Sequence, residues 1–346
     1  MTAVTSVTLT RPDDWHVHFR DGDALAHTVP PVAEVFGRAV AMPNLRPPLT
    51  AVNDALAYAE RLRAASPRPG FSPLPSLYLT DRTTPDEIAR ARAAGLVAAK
   101  LYPAGATTHS DAGVTDVAHI EPVLAAMAEV GLVLQVHGEA TDPECDVFER
   151  ETLFIAATLA PLCERHPELR VVFEHVTSAA GVAFVRGAGR RLAATITAHH
   201  LEVERTDLFR GGLRPHLYCL PVPKSRTDRE ALVEAALSGH PRFFLGSDSA
   251  PHPRASKESA CCPAGVYTGH AAILHYAEVF ERHGAIGQLE AFASHFGADF
   301  YGLPRNADTI TIERVPQEIP ATLPLGGGEV VPYRAGERLL WRLAAV

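Results

Sequence analysis

Short segments of strand composition alternate with longer helical segments along most of this chain, and few folds accommodate such an alternation. Several strand segments, such as Leu132-Val133-Leu134, are apolar without interruption, which is typical of parallel strands buried on both faces. Eight strand–helix repeats over about 250 residues predict an α/β fold of the (β/α)8 TIM-barrel type. The predicted strands are Trp15–Phe19, Arg38–Met42, Ser76–Thr80, Val97–Tyr102, Leu132–His137, Val171–His175, Ala193–Thr197 and Phe243–Gly246.

The intervening segments have helical composition, and Thr84-Pro85-Asp86-Glu87 has the capping hydroxyl, proline and early acids of a helix start. A doubly wound open sheet is the alternative architecture. It normally carries a glycine-rich phosphate loop after its first strand, and the sequence has none there. The predicted helices are Ala51–Ala65, Pro85–Ala94, Ile120–Val130, Val147–His166, Ser178–Val185, Arg226–Ser238, Ala271–Arg282 and Ile286–His295.

The chain is expected to form one domain over residues 1–346. With 346 residues, of which 47% are hydrophobic, it can bury a large core. We expect the barrel core at about 12–255 and a C-terminal extension of helices and short strands at about 256–346. The sequence shows no internal repeat or linker that would divide it.

The charge and hydrophobicity of the sequence indicate which kinds of partner the protein can have. A formal net charge of -8 argues against nucleic acid. No apolar stretch of about 18 residues predicts a membrane span, and Met1–Thr10 lacks the pattern of a signal peptide, so we expect no membrane partner and a cytoplasmic location. The five scattered cysteines fit reduced thiols, and adjacent Cys261 and Cys262 are interpreted as a loop pair rather than a second metal site.

Polar side chains that can bind metal or move protons fall at the predicted carboxyl ends of the strands. His16 and His18 alternate with apolar residues, which places both imidazoles on one face of a strand, where they can bind one cation. In a TIM barrel the strand ends meet at one mouth, so we expect a shared active site. The residues at these ends are His16, His18, Asn44, Lys100, His137, His175 and Asp248.

These motifs resemble the amidohydrolase superfamily, and within it the short, monofunctional bacterial dihydroorotases. The resemblance implies a hydrolase of cyclic amide C–N bonds that interconverts N-carbamoyl-L-aspartate and L-dihydroorotate in de novo pyrimidine (UMP) biosynthesis, acting on small molecules as a homodimer. It extends from Arg11 to about Gly302. The motifs are Asp14–Arg20, Met42-Pro43-Asn44, Ala99–Pro103, Val136–Glu139, Phe173–His175 and Ser247–His252, and Arg214–Cys219 and Lys257-Glu258-Ser259 are similar to that type too.

The resemblance implies a centre of two zinc ions per subunit. His16, His18 and Asp248 would bind the first ion, and His137 and His175 the second. Lys100 would bridge both as N6-carboxylysine, a carbamate formed with carbon dioxide, because burial beside cations disfavours its charged form. Asp248 would also be the catalytic proton carrier. Iron, manganese or cobalt can occupy such ligands too.

The resemblance also implies a substrate site. An arginine can bind a carboxylate through two hydrogen bonds, and Arg20, Asn44 and His252 would hold the carboxylate that does not react. The small, polar loop Ala104–Gly113 predicts a lid in which Thr107 and Thr108 touch substrate. The implied substrate-binding residues are His18, Arg20, Asn44, His137, Leu220, His252 and Ala264, with Leu220 and Ala264 contacting the pyrimidine edge through their backbone.

Several alternatives stay open. His199 and His200 are expected to have a supporting or structural role, whereas Glu139 and Glu174 either orient ligand histidines or form simple pairs. A hydantoinase or allantoinase is the nearest rival function. Those enzymes usually carry a longer segment ahead of the His-x-His motif, and here 15 residues precede His16. A barrel that has lost catalysis and serves as a binding protein is the rival from another class.

Overall fold

The eight predicted strands are present in the computed structural model, which describes residues 4–344. Their ends differ from the predictions by a residue or two, and the third predicted strand is represented by two pieces on either side of Ser76. The strands are β1 (Ser6–Thr10), β2 (Asp14–Val17), β3 (Arg38–Ala41), β4 (Ser72–Pro75), β5 (Leu77–Tyr78), β6 (Ala98–Leu101), β7 (Val133–Val136), β8 (Val171–Phe173), β9 (Leu192–Ile196), β10 (Phe243–Leu245), β11 (Thr309–Glu313), β12 (Gln317–Glu318), β13 (Leu323–Leu325), β14 (Gly328–Val330), β15 (Arg338–Leu339) and β16 (Arg342–Leu343).

Parallel pairing arranges β2 to β10 in a barrel. One sheet has the order β2-β3-β4, and a second has the order β5-β6-β7-β8-β9-β10. The backbone N–H of Asp248 donates to His16 O at 2.8 Å, and that of His18 donates to Ser249 O at 2.9 Å. These two bonds join the segment after β10 to β2, so the last strand meets the first. The (β/α)8 TIM-barrel fold class is confirmed.

Helices lie between and after the strands, and four of them were not predicted: Leu25–Val35, Ala198–Glu202, Arg254–Lys257 and Phe296–Tyr301. The longest of the four, Leu25–Val35, contains Pro30 and Pro31, which hide its helical pattern because proline lacks the N–H that a helix interior uses. The α-helices are α1 (Leu25–Val35), α2 (Val52–Ala65), α3 (Pro85–Ala93), α4 (Glu121–Val130), α5 (Arg150–Phe154), α6 (Ala160–Arg165), α7 (Ala179–Gly187), α8 (Ala198–Glu202), α9 (Arg226–Leu237), α10 (Arg254–Lys257), α11 (Ala272–Arg282) and α12 (Phe296–Tyr301). Ile155–Leu159 and Ala291–His295 are π-helical, and Gly22–Ala24, Val117–Ile120, Arg205–Phe209, Pro215–Leu217 and Ile286–Gln288 are 3-10 turns.

The amino-terminal half of the barrel interior is apolar and closed by α12. Trp15 stacks on Tyr301 with ring centroids 4.4 Å apart, and Gln135 Nε2 donates to the Tyr301 hydroxyl at 3.0 Å. Gly297 permits this approach, because a Cβ there would lie 1.9 Å from Trp15 Nε1. The polar side chains of the strands are therefore concentrated at the opposite, carboxyl end.

Both ends of the described chain meet in a small sheet outside the barrel. Strand β1 pairs antiparallel with β11, and β16 pairs with the other edge of β11. This sheet connects the C-terminal extension to the segment that enters the barrel at β2. Within residues 4–344, no helix has both the length and the apolar character needed to cross a membrane.

Candidate active site

The barrel mouth brings four histidine rings into one cluster. The ring centroid of His16 lies 5.3 Å from that of His18 and 5.0 Å from that of His175. His137 continues the row at 4.9 Å from His175. The rings come from β2 and from the segments that follow β2, β7 and β8. Side chains far apart in the sequence thus become neighbours at one end of the barrel.

Asp248 forms a compact group with the first two histidines. Its Oδ1 lies 3.3 Å from His16 Nε2 and 3.2 Å from His18 Nε2, and the two nitrogens are 3.4 Å apart. All three side chains are buried or nearly so, and each offers one ligand atom within 4.8 Å of the others. This spacing suits a single metal ion bound by all three.

Lys100 lies in β6 with its side chain fully buried. Its Nζ has no hydrogen-bond partner in the part of the chain that the structure describes, and it lies 5.2 Å from the ring centroid of Tyr102. Burial lowers the pKa of Lys100 to about 8. The uncharged form of this amine, which is the nucleophile that reacts with carbon dioxide, is therefore far more populated near neutral pH than in an exposed lysine.

His18, His175 and Asp248 have the protonation states that metal binding requires. Burial lowers the pKa of His18 to about 3 and holds the pKa of His175 well below its usual value. Burial alone would raise the pKa of Asp248, but its hydrogen bonds with His16 and His18 outweigh this and hold the pKa well below the usual range. Neutral imidazoles and an ionised carboxylate are the forms that bind metal ions.

Two buried glutamates fix the orientation of two of the rings. Glu174 Oε2 accepts a hydrogen bond from His16 Nδ1 at 2.8 Å, and Glu139 Oε2 accepts one from His137 Nε2 at 2.8 Å. Each bond occupies one ring nitrogen and makes the other the available ligand atom. The sequence allowed two interpretations of these glutamates, orientation of ligand histidines or simple pairing. The contacts favour orientation of the histidines.

Three predicted site residues have a backbone conformation that is rare for residues with a Cβ. The φ angles of Arg20, His175 and Asp248 are 66°, 40° and 44°. Such left-handed conformations cost energy and persist where the surrounding structure imposes them, which happens most often at functional sites. All three residues follow barrel strands, at the turns where their side chains reach the mouth.

The residues present fit a metal centre. Lys100 Nζ, His175 Nδ1 and the Tyr102 hydroxyl are buried without a hydrogen-bond partner within residues 4–344. Polar atoms left unpaired inside a protein are costly, so their concentration beside the histidine cluster needs an explanation. Imidazole nitrogens and carboxylate oxygens are the donors that zinc binds, and a metal ion among them would supply that explanation.

A cavity above this cluster is lined by most of the residues predicted to contact substrate. His252 lies behind Arg20, with its Nε2 2.9 Å from Arg20 Nη2 and 2.9 Å from Ala264 O. Within residues 4–344, neither His252 nor Lys100 is part of the cavity wall. The predicted residues in that wall are His16, His18, Arg20, Asn44, Thr107, Thr108, His137, His175, Leu220, Asp248 and Ala264.

The loop after Lys100 covers the cavity. Asn44 Nδ2 donates to Thr108 O at 2.9 Å, and the Thr108 hydroxyl donates to Ala264 O at 3.3 Å. His109 Nδ1 lies 3.2 Å from Asn44 O. Because Asn44 follows β3 and Ala264 follows β10, the loop connects two separate parts of the rim.

Asp14 belongs to the site although the sequence analysis did not select it. Its carboxylate accepts hydrogen bonds from the backbone N–H of Ser247 at 2.9 Å and from that of His16 at 3.1 Å. It thereby joins β2 to the segment that carries Asp248. The strand alternation that pairs His16 with His18 also places Asp14 on their face, so the signal was present in the sequence.

Thr195, Tyr102 and Cys219 were also missed, and nothing in their local sequence marks them. The Thr195 hydroxyl donates to Glu174 Oε2 at 2.6 Å and accepts from the backbone N–H of His175 at 2.7 Å. Tyr102 and Cys219 are part of the cavity wall. Their roles depend on neighbours that come from other strands.

His199 and His200 form a second buried group, with Cys219. Both ring nitrogens of His200 are occupied: Nδ1 lies 2.7 Å from the Thr197 hydroxyl and Nε2 lies 3.0 Å from Pro221 O. Burial raises the pKa of the Cys219 thiol, and thiolates rather than thiols bind metals. This chemistry favours the predicted structural role over metal binding.

The sequence and the fold have close counterparts among known proteins. The sequence profile of the amidohydrolase family matches residues 13–314. The dihydroorotase of Alkalilimnicola ehrlichii is 59% identical over 339 residues, which cover 97% of this chain and 99% of that protein. The crystal structure of Saccharomyces cerevisiae dihydroorotase in complex with 5-fluoroorotic acid has a TM-score of 0.90 and 35% identity, and 99% of each chain is covered.

A hydantoinase shares the barrel at lower similarity. The L-hydantoinase of Arthrobacter aurescens has a TM-score of 0.82 at 17% identity, and the match covers 98% of this chain but 83% of the hydantoinase. That likeness concerns the fold alone, whereas the match to dihydroorotases extends over nearly the whole length of both chains at high identity. The chain therefore belongs to the amidohydrolase family and, within it, to the dihydroorotases, hydrolases of a cyclic amide C–N bond.

Proposed function

We propose that the chain interconverts N-carbamoyl-L-aspartate and L-dihydroorotate in de novo pyrimidine biosynthesis, with two zinc ions per subunit at the barrel mouth. The observation that carries the proposal is the convergence of His16, His18 and Asp248 with a second histidine pair beneath a cavity that has Arg20 in its wall. The yeast dihydroorotase crystallised with 5-fluoroorotic acid, a pyrimidine carboxylic acid, supports a substrate of that class.

In this proposal His16, His18 and Asp248 would hold the first zinc ion, and His137 and His175 would hold the second. Lys100, as a carbamate, would supply an anionic ligand to both, and a buried amine without a hydrogen-bond partner among the described residues, with a pKa of about 8, is a suitable precursor. Carbon dioxide is therefore a second requirement. Zinc bound here would lower the pKa of water and polarise the amide carbonyl of the substrate.

Asp248 is the proposed proton carrier. In ring opening, the oxygen of water forms a bond to the ring carbonyl carbon, and Asp248 accepts a proton from that water. The C–N bond then breaks, Asp248 gives the proton to the departing nitrogen, and the new carboxylic acid ionises. Ring closure follows the reverse path and releases water. The depressed pKa keeps Asp248 ionised and able to accept the proton.

The carboxylate that does not react is proposed to bind at Arg20. The guanidinium is held by its Nε bond to Pro251 O at 2.9 Å and by the contact with His252, so its orientation is set before substrate arrives. Asn44 and His252 add hydrogen bonds, and His18 and His137 contact the reacting side. Leu220 and Ala264 offer backbone groups to the ring edge, and Thr107 and Thr108 close the site.

We also propose a homodimer in the cytoplasm. Leu153 is 47% exposed and lies in a surface groove with Ala156 and Ala157, an apolar face that a second copy of the chain would cover. The five free thiols support a reducing compartment. Light scattering at several protein concentrations, compared with a Leu153→Glu variant, tests the dimer.

One assay tests the central proposal. Turnover of L-dihydroorotate, N-carbamoyl-L-aspartate and a hydantoin is measured on one sample in which zinc is also counted. We expect both pyrimidine precursors to be interconverted and about two zinc ions per chain. Turnover of the hydantoin without dihydroorotate would show a different cyclic-amide hydrolase, and a metal-free, inactive protein would point to the binding-protein alternative.

A further inference from the structure

Lys257 is a buried lysine outside the metal cluster whose role is not explained by the proposed chemistry. It is the last residue of α10 and its side chain is 3% exposed. Its ammonium donates three hydrogen bonds, to Tyr218 O at 2.8 Å, Pro263 O at 2.9 Å and Gly265 O at 2.9 Å. An ammonium has three protons, so the hydrogen-bonding capacity of the group is fully used.

The three acceptors belong to the two segments that form one wall of the cavity. Pro263 and Gly265 are the residues on either side of Ala264, and Tyr218 precedes the wall residues Cys219 and Leu220. The Gly265 backbone N–H also donates to Tyr218 O at 3.0 Å. Lys257 thus binds both segments to each other from the side away from the cavity.

The contacts around Ala264 show that the Lys257 hydrogen bonds determine the direction of the Ala264 carbonyl. The carbonyls before and after it accept from Lys257, whereas Ala264 O contacts the Thr108 hydroxyl at 3.3 Å and His252 Nε2 at 2.9 Å. Two neighbouring carbonyls held on one side fix the rotation of the peptide groups between them. The direction of Ala264 O towards the lid and the cavity follows from that fixed rotation.

We propose that Lys257 is a positioning residue that sets the backbone at Leu220 and Ala264 to receive the flat edge of a cyclic amide or imide. This inference rests on the proposed function of the site, since it concerns how that site recognises a ring. The carboxylate is proposed to bind at Arg20, a side chain that none of the three Lys257 hydrogen bonds reaches. Lys257 therefore affects recognition of the ring more than recognition of the carboxylate.

The test compares two probes on the zinc-loaded enzyme by calorimetry. Orotate carries both a carboxylate and a ring edge, whereas succinate carries carboxylates alone. In Lys257→Met, which keeps the apolar stem, we expect the Kd of orotate to rise about tenfold or more and that of succinate to change by less than about threefold. The KM for dihydroorotate should rise more than kcat falls.

Lys224→Met is the matched control, because Lys224 is also buried and donates to one backbone carbonyl, Val222 O, at 3.0 Å. It should leave the ratio of the two Kd values unchanged. Lys257→Gln keeps an amide donor and replaces the methionine variant if that variant does not fold. Equal weakening of both probes, or no weakening, overturns the positioning role. Wild-type turnover of dihydroorotate is measured separately, and its absence would count against the proposed function rather than against Lys257.

Discussion

Glu174 Oε2 accepts a hydrogen bond of 2.8 Å from His16 Nδ1, although the two residues belong to β-strand regions that do not pair in the barrel. Glu174 directly precedes His175, which lies in the same cluster. One turn therefore supplies a candidate metal ligand, His175, and the carboxylate that orients a second candidate ligand, His16. The same oxygen accepts from Thr195. The orientation of His16 therefore depends on β8 and β9 as well as on its own strand.

Replacing Glu174 by glutamine should weaken metal binding. The amide places either a weaker acceptor or a donor against His16 Nδ1, and loss of such a partner typically costs about 10–100-fold in metal affinity. Zinc content measured after dialysis against a graded chelator checks this. Glu168→Gln, at an exposed carboxylate, is the control. Unchanged zinc retention in the Glu174 variant would contradict the orienting role.

Asp248→Asn should abolish most turnover while leaving substantial metal. Asparagine tolerates the left-handed backbone at this position and keeps an oxygen ligand, but it cannot accept a proton. Loss of a general acid–base group lowers turnover by about 10²–10⁴-fold. Activity and zinc content are measured on the same preparation. A variant that retains near-normal turnover would exclude Asp248 as the proton carrier.

Removal of metal should abolish activity, and its return should depend on carbon dioxide. Chelated enzyme is supplied with zinc in the presence or absence of bicarbonate, and isotope-labelled bicarbonate reports the carbamate by carbon NMR. Because Lys100 is buried and unpaired among the described residues, its amine is the expected site of the label. The Lys100→Met variant should show no carbamate signal by NMR, and its activity should not return when zinc and bicarbonate are added. Full recovery of the wild type without carbon dioxide would argue against the carbamate.

Removing the hydroxyl groups of the lid loop should slow turnover. The Thr108 hydroxyl donates to Ala264 O, and both Thr107 and Thr108 line the cavity, so loss of the two hydroxyls removes this bond and the groups that are proposed to touch substrate. We expect the double variant Thr107→Ala, Thr108→Ala to lose roughly fivefold in kcat/KM per hydroxyl lost, because a hydrogen bond usually contributes about 1 kcal/mol. Thr206→Ala, at an exposed threonine far along the chain, serves for comparison. If the double variant is as active as Thr206→Ala, the lid loop has no role in turnover.

The barrel was predictable from the sequence because its parallel strands are buried on both faces and carry uninterrupted apolar runs. The convergence of His16, His137, His175 and Asp248 was predictable for a related reason, since strand ends of a barrel share one mouth. Helix α1 was not, because Pro30 and Pro31 obscure a helix that packing stabilises. Sequence patterns do not predict a helix of this kind, because its stability comes from packing against the rest of the protein rather than from local propensity.

Contacts between distant segments could not be predicted in detail. The sequence suggested that Glu174 orients a histidine, but its partner is His16 rather than the adjacent His175, which depends on how β2 and β8 face each other across the barrel. His252 Nε2 lies 2.9 Å from Arg20 Nη2, a contact between distant segments that no local pattern predicts. Lys257 belongs to a motif that the sequence analysis noted, but its role could not be predicted, because its three acceptors are backbone carbonyls, which every residue has.

Gly138 gives a stability test that separates packing from chemistry. A Cβ at Gly138 would lie 2.0 Å from Phe173 Cε2, so Gly138→Ala must displace a ring of β8 beside His137. Overpacking of this kind costs about 1–3 kcal/mol, and the melting temperature should fall. Gly187→Ala, where no described atom beyond its own helix backbone and chain neighbours lies within 4 Å of the added Cβ, should leave the melting temperature unchanged or slightly raised. Zinc content of the Gly138 variant should also drop, because the ring of His137 is oriented by Glu139, which directly follows Gly138. Equal melting temperatures for the two variants would show that the barrel absorbs the added methyl group without moving Phe173.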